Sequence, residues 1–112
     1  MIKKDRSRFH AYNIILAHES SGRQLKSVRN DYFSTNNLSS SERSRSMALS
    51  NEVVRWKRTL DNWIARSLKK PIKKLPLKVL CILRLGYYEY VMDSFVPAHA
   101  AVDSWVELSK KN

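Results

Sequence analysis

Glycine and proline are scarce in this sequence: glycine occurs only at positions 22 and 86, and proline only at 71, 76 and 97. A glycine-rich loop that lets the backbone close on a nucleotide or methyl-donor cofactor cannot be assembled from that supply, so no cofactor is expected. Cysteine occurs once, at Cys81, which excludes an intrachain disulfide and fits a reducing compartment. Its setting, VLCILRL, suits a small apolar packing residue and supplies no obvious activating neighbour for a thiolate nucleophile. The three histidines, His10, His18 and His99, show no metal-ligand spacing with cysteine or carboxylates, and no metal is expected. The serine-rich stretch 39–46 carries no nucleophile elbow. Catalysis by this chain alone is therefore not expected. Long apolar runs are missing too: nothing approaches the roughly 20 residues of a membrane span. The basic start MIKKDRSRFH is not followed by the apolar stretch of a secretory signal. Its Arg and Ser content is shared with transit peptides, but Asp5 and Glu19 count against one, and a cytoplasmic protein is expected.

Negative charge is also short. Ten Asp and Glu stand against 21 Lys and Arg, giving a net charge of +11 and a pI near 10.1. Such an excess favours polyanions, chiefly nucleic acid or an anionic membrane surface, and a solvated basic surface that binds nothing is the alternative. The 112 residues, 43% of them hydrophobic, suffice for one core that buries roughly two thirds of the unfolded surface. Residues 1–112 are accordingly read as a single domain.

With so few breakers, and with apolar residues recurring three and four apart, the chain is predicted to be all-α, with about six helices. Helix one runs from Ser7 to about Ser20, with Phe9, Tyr12, Ile15 or Leu16 and Glu19 on successive turns, until Gly22 ends it. Helix two, from about Arg23 to Asn36, places Leu25, Val28, Tyr32 and Phe33 on one face, and residues 34–41 form a polar loop. Ser39 and Glu42 have the spacing of a capping box, each side chain meeting the other's free backbone donor. From there Leu49, Val53, Trp56, Leu60 and Trp63 form a seam spaced four, three, four and three. The seam implies one long helix or two collinear ones with a bend near Arg58 and Thr59. Its tryptophans read as packing residues.

Lys69, Lys70 and Pro71 end that element, and Pro76 suits the first turn of helix five, where a missing donor costs nothing. Leu77, Val79, Leu80, Ile82, Leu83, Leu85, Tyr87 and Tyr90 cover more than half of that helix, which implies neighbours on several sides. Gly86 weakens it by up to about 1 kcal/mol relative to Ala, a tolerable cost where a neighbour approaches closely. Asp93 to Val96 turn the chain, and helix six, from Pro97, presents Ala98, Ala101, Val102, Trp105 and Leu108 inward.

The order of LRLGYYEYVMDSFVPAHAAV (83–102), preceded by VVRWKRTLDNWI (53–64) and by Lys69-Lys70-Pro71, resembles the NusB/RsmB family of RNA-binding helical domains. The spacing is more like the N-terminal domain of RsmB-type 16S ribosomal RNA cytosine-5 methyltransferases than a free-standing NusB. The resemblance, from about Arg6 to Lys111, implies a compact NusB-like helical bundle that binds RNA without performing chemistry. Family members usually have Asn-Glu where this chain has Asp103-Ser104 and a small residue where it has Trp105, so contacts made through helix six are in doubt. The family also continues through a glycine turn into one further helix. The sequence ends at Asn112, and the usual final helix is expected to be missing, leaving an apolar strip uncovered.

The basic residues cluster. Lys3, Lys4, Arg6 and Arg8 crowd the start of helix one, and Arg66, Lys69, Lys70, Lys73, Lys74 and Lys78 crowd the connection before helix five. Each cluster suits phosphate, and the planar fork of arginine makes the N-terminal one the more specific. The resemblance implies the same, since an arginine-rich N-terminal helix contacts RNA in the family. His10 and Tyr12 are candidates for stacking on unpaired bases, with a solvated helix position the alternative for His10. A solvated loop is the alternative for Lys69 to Lys78. Arg84 lies in the most apolar helix and is expected to form a structural ion pair, because an unpaired buried charge is costly. Glu89 is a candidate for the same network, although five residues is a poor spacing for a direct pair.

Three functions follow. The first is an RNA-binding accessory domain that places a methyltransferase catalytic domain on small-subunit ribosomal RNA. The second is a free-standing transcription antitermination factor that binds leader RNA with a small-subunit ribosomal protein, and the reading frame beyond Asn112 separates it from the first. The third is a helical protein-interaction module without RNA affinity. None involves a membrane or a small-molecule substrate.

Overall fold

The computed structural model describes residues 5–68 and 71–92, and within them every regular element is helical, so the chain is all-α as expected. The described residues fall into two compact units, the first ending at Val54 and the second beginning at Arg55. Helix six and the turn before it, expected from Asp93 onward, lie outside the described residues.

In the first unit α1 spans Ser7–Ser21. Its first donors are met by neighbouring side chains: Asp5 Oδ1 accepts from the Ser7 N–H at 2.7 Å, and Glu42 Oε2 accepts from the Arg6 N–H at 2.9 Å. Ser7, Ala11 and Ile14, spaced four and three, face inward with His10, Tyr12 and Ile15. The helix stops at Gly22, whose φ of 73° lies in the left-handed region that glycine enters without a Cβ penalty; its N–H closes the turn on the His18 carbonyl at 3.1 Å. α2 (Leu25–Thr35) packs on α1 through Val28 and the half-buried Tyr32. It ends where Asn36 turns extended and returns its side-chain amide to the Tyr32 carbonyl at 2.9 Å.

α3 (Ser40–Arg55) begins with the expected capping box: the Glu42 N–H donates to Ser39 Oγ at 3.2 Å and the Ser39 N–H to Glu42 Oε1 at 3.0 Å. Its buried side is Glu42, Ser46, Ser50 and Val53. Ser46 and Ser50 are fully buried, and their hydroxyls donate to carbonyls of the preceding turn at 3.2 and 2.8 Å. Each is thereby satisfied without an outside partner, and its small side chain leaves room for close packing.

In the second unit α4 (Lys57–Leu68) packs against α5 (Leu77–Tyr87). The interruption between α3 and α4 falls at Trp56, two residues before the expected bend. Leu60 and Ile64, one turn apart on α4, meet the requirement for an apolar stripe and are fully buried, as are Cys81 and Leu85 on α5. Each large aliphatic side chain so removed from water contributes roughly 1.5–3 kcal/mol. Trp56 and Trp63 are half-buried in the same seam. Between the helices, Ile72–Lys74 form one 3₁₀ turn, and Pro76 stands one place before α5 rather than within its first turn. Its extended ψ of 142° makes it the cap, and its carbonyl accepts from the Leu80 N–H at 3.0 Å. α5 widens into a π-helical turn at Tyr88–Met92. Among the described residues α5 buries Leu80, Cys81, Arg84 and Leu85 on one face, while Leu77 and Val79 are exposed.

Candidate functional site

The start of α1 and the start of α3 are joined by two acids. Asp5 takes the Ser7 N–H on one oxygen and Arg45 Nη1 on the other at 3.0 Å. Burial opposes its charge, but the hydrogen bonds from Ser7 and the nearby Arg45 outweigh that and hold the carboxyl below the ordinary aspartate range. Glu42, buried, accepts from the backbone of Ser39 and then of Arg6, and these two donors push its pKa down. Both carboxylates are thus committed to holding backbone and to Arg45.

Around this junction four rings form a row. Phe9 meets His10 with centroids 5.7 Å apart, His10 meets Tyr32 at 5.7 Å, and Tyr32 meets Phe33 at 6.3 Å, each pair edge to face. The Arg6 guanidinium lies 4.2 Å over the Phe9 ring at one end, and the Arg43 guanidinium 5.3 Å over Phe33 at the other. In the middle, Tyr32 Oη accepts from Asn13 Nδ2 at 3.1 Å and shares a hydrogen bond with Nδ1 of His10 at 2.6 Å. Burial lowers the pKa of His10, with Arg6 adding to the effect and Glu42 and Asp5 opposing it; burial also raises that of Tyr32.

The expected site residues separate accordingly. Arg6 is exposed at the head of α1, and Arg8 is half-buried on its first turn. His10 and Tyr12 are interior, 7% and 2% exposed, so neither ring offers a face to a base. Tyr12 sits beside the Ala11 and Ile15 stripe, and His10 is held by Tyr32. The half-buried rings on this part of the unit are Phe9, Tyr32 and Phe33, which the apolar spacing marks only as packing residues. Arg43 and Arg45, in the serine-rich stretch, stand outside the expected basic clusters, although the capping box places them in the first two turns of a helix. Lys73 and Lys74 are exposed on the 3₁₀ turn of the second unit, with Arg66 and Lys78 exposed on its helices. Lys3, Lys4, Lys69 and Lys70 lie outside the described residues.

Arg84 forms the expected ion pair. Its Nε and Nη2 reach the two oxygens of Asp61 at 2.7 and 3.0 Å, a bidentate fork joining α5 to α4. The partner comes from the RWKRTLD segment. Glu89, buried on the π-helical turn, belongs to the same helical stretch. Among the described residues no helix is long and apolar enough to cross a membrane, and no group of three His, Cys, Asp or Glu is placed to hold a metal ion.

Comparison with known proteins places this arrangement. A probable ribosomal RNA small subunit methyltransferase B from Synechocystis sp. is 43% identical over 60 residues, which is 54% of this chain and 14% of that protein. The chain therefore covers a small part of that relative's length. The model of the NusB family matches residues 5–112, nearly the entire sequence, and the chain belongs to the NusB family.

Proposed function

We propose that this chain is a non-catalytic RNA-binding domain, one functional unit over residues 1–112, that places a ribosomal RNA cytosine-5 methyltransferase on small-subunit ribosomal RNA in the cytoplasm. The observation that carries this reading is the identity with a probable small-subunit ribosomal RNA methyltransferase over half of the chain. The net charge of +11 supports a polyanionic partner, and the exposed Arg6 at the head of α1 supports the N-terminal segment as its main contact. Lys3, Lys4 and Arg8 extend that contact, and Lys69, Lys70, Lys73 and Lys74 add a weaker one.

Filter binding of small-subunit ribosomal RNA fragments at several salt concentrations tests the reading. Neutralising about four to six phosphates gives a slope of log affinity against log salt of roughly −3 to −4. Alanine at both Arg6 and Arg8 should cost more affinity than alanine at both Lys73 and Lys74, because a guanidinium fork on an ordered helix loses less entropy per contact. Crosslinking in cells should return small-subunit ribosomal RNA ahead of other transcripts. Absence of affinity at low salt removes RNA binding, and recovery of other transcripts alone removes the ribosomal assignment.

A further inference from the structure

Resting on the RNA-binding reading, we infer that the aromatic row bracketed by Arg6 and Arg43 is a platform for unpaired RNA, with Arg43 and Phe33 forming a second contact point away from the N-terminal segment. The row draws on three elements: Phe9 and His10 from α1, Tyr32 and Phe33 from α2, and Arg43 from the first turn of α3. Phe9, Tyr32 and Phe33 are half-buried, while the buried His10 anchors the centre.

The charge at the two ends distinguishes this row from ordinary packing. Arg23, Arg45 and Arg84 are each engaged by a carboxylate, of Asp31, Asp5 and Asp61. Arg6 and Arg43 are exposed, and among the described residues no carboxylate lies within ion-pair reach of either guanidinium. The two acids of this junction are already occupied, Asp5 by Ser7 and Arg45, Glu42 by the backbone of Ser39 and Arg6. A guanidinium laid on a ring uses its flat face there and keeps its in-plane N–H groups for an anion and its outer face for another flat group. Each end therefore offers a phosphate donor and a stacking plane together. The Arg6–Glu42 and Asp5–Arg45 bonds fix the starts of α1 and α3 to each other, so these ends are held in place before a ligand arrives.

A ligand that uses both features must be anionic and must carry exposed flat rings. Single-stranded RNA supplies phosphates and unstacked bases at each step. A duplex keeps its bases stacked inside and offers phosphates alone, and an acidic peptide offers no repeated stacking surface.

The test uses the full chain with a fluorescent, unstructured oligoribonucleotide about 12 nucleotides long and a hairpin that closes the same sequence into a duplex. Arg43→Ala and Phe33→Leu should each weaken single-strand binding at least about fivefold. Arg43→Ala should also reduce the magnitude of the salt slope by about 0.7, the loss of one phosphate contact. Arg43→Lys should restore that slope but not the affinity, since it keeps the charge and loses the plane. Lys26→Ala removes the same charge from the opposite end of α2 and should bind like the unaltered chain. Ultraviolet crosslinking should attach RNA to peptides containing Phe9 or Phe33. Circular dichroism checks the folding of Phe33→Leu, and the exposed Arg43 series decides alone should that variant unfold. If the unaltered chain binds RNA and the Arg43 variants bind equally well, the platform is overturned while the RNA-binding reading stands. Equal affinity for the hairpin also overturns it, and a chain that binds no RNA overturns both.

Discussion

Substituting Asp61 by Ala should destabilise the second unit far more than its position at a helix surface suggests. Its carboxylate receives both Nε and Nη2 of Arg84, whose side chain is 5% exposed while that of Asp61 is 25% exposed. Removing one partner of a buried pair costs about 3–5 kcal/mol, because the remaining charge stays out of water. Here the partial exposure of Asp61 and a further interaction of Arg84 moderate the loss, so about 2–3 kcal/mol is expected. That is a large share of a net stability of about 5–15 kcal/mol. For a chain of this size each 1 kcal/mol lowers the melting temperature by about 4–8 °C, so a fall of at least about 8 °C should appear in thermal and urea unfolding. The sign of the coupling is the sharper test. Arg84→Met removes the buried charge and leaves the carboxylate to water, so it should cost less than Asp61→Ala. The double variant should be more stable than Asp61→Ala alone. An Asp61→Ala protein within about 0.5 kcal/mol of the unaltered chain, or a double variant whose loss is simply the sum of the single losses, would refute the role assigned to this pair.

Two further outcomes concern the first unit. Burial keeps His10 below the ordinary histidine range, so the unfolded chain takes up that proton first as the pH falls. Stability should therefore decline below about pH 6.5, and His10→Gln should flatten that part of the profile in urea midpoints measured between about pH 5 and 7; an unchanged slope rejects the assignment. Asp5 and Glu42, whose pKa values are lowered, contribute stability that is lost only at more acid pH. Gly22→Ala should cost about 1–2 kcal/mol through its backbone alone, because a Cβ there meets no atom within 4 Å, and Gly22→Asn should cost less. A neutral alanine variant would contradict the left-handed cap.

Much of the local structure is determined by the sequence itself because its causes are local. Gly22 stops α1 where only a left-handed residue closes the turn, Ser39 and Glu42 cap α3 from three residues apart, and the apolar spacing marks α4 and α5. The need of Arg84 for a carboxylate was equally legible, since the cost of a lone buried charge holds in any fold. Which carboxylate meets it was decided by packing α4 on α5, across 23 residues of sequence. The same holds for the candidate site. Periodicity showed that α1 carries aromatic residues, but only the placement of α2 against it set His10 beside Tyr32. Arg43 entered the site because Glu42, 36 residues from Arg6, accepts its backbone N–H and brings the head of α3 to the head of α1. Spacing along the chain carries no record of such a contact. It exists because the Arg6 N–H at the head of α1 has no partner within its own helix, and tertiary structure brought Glu42 to it.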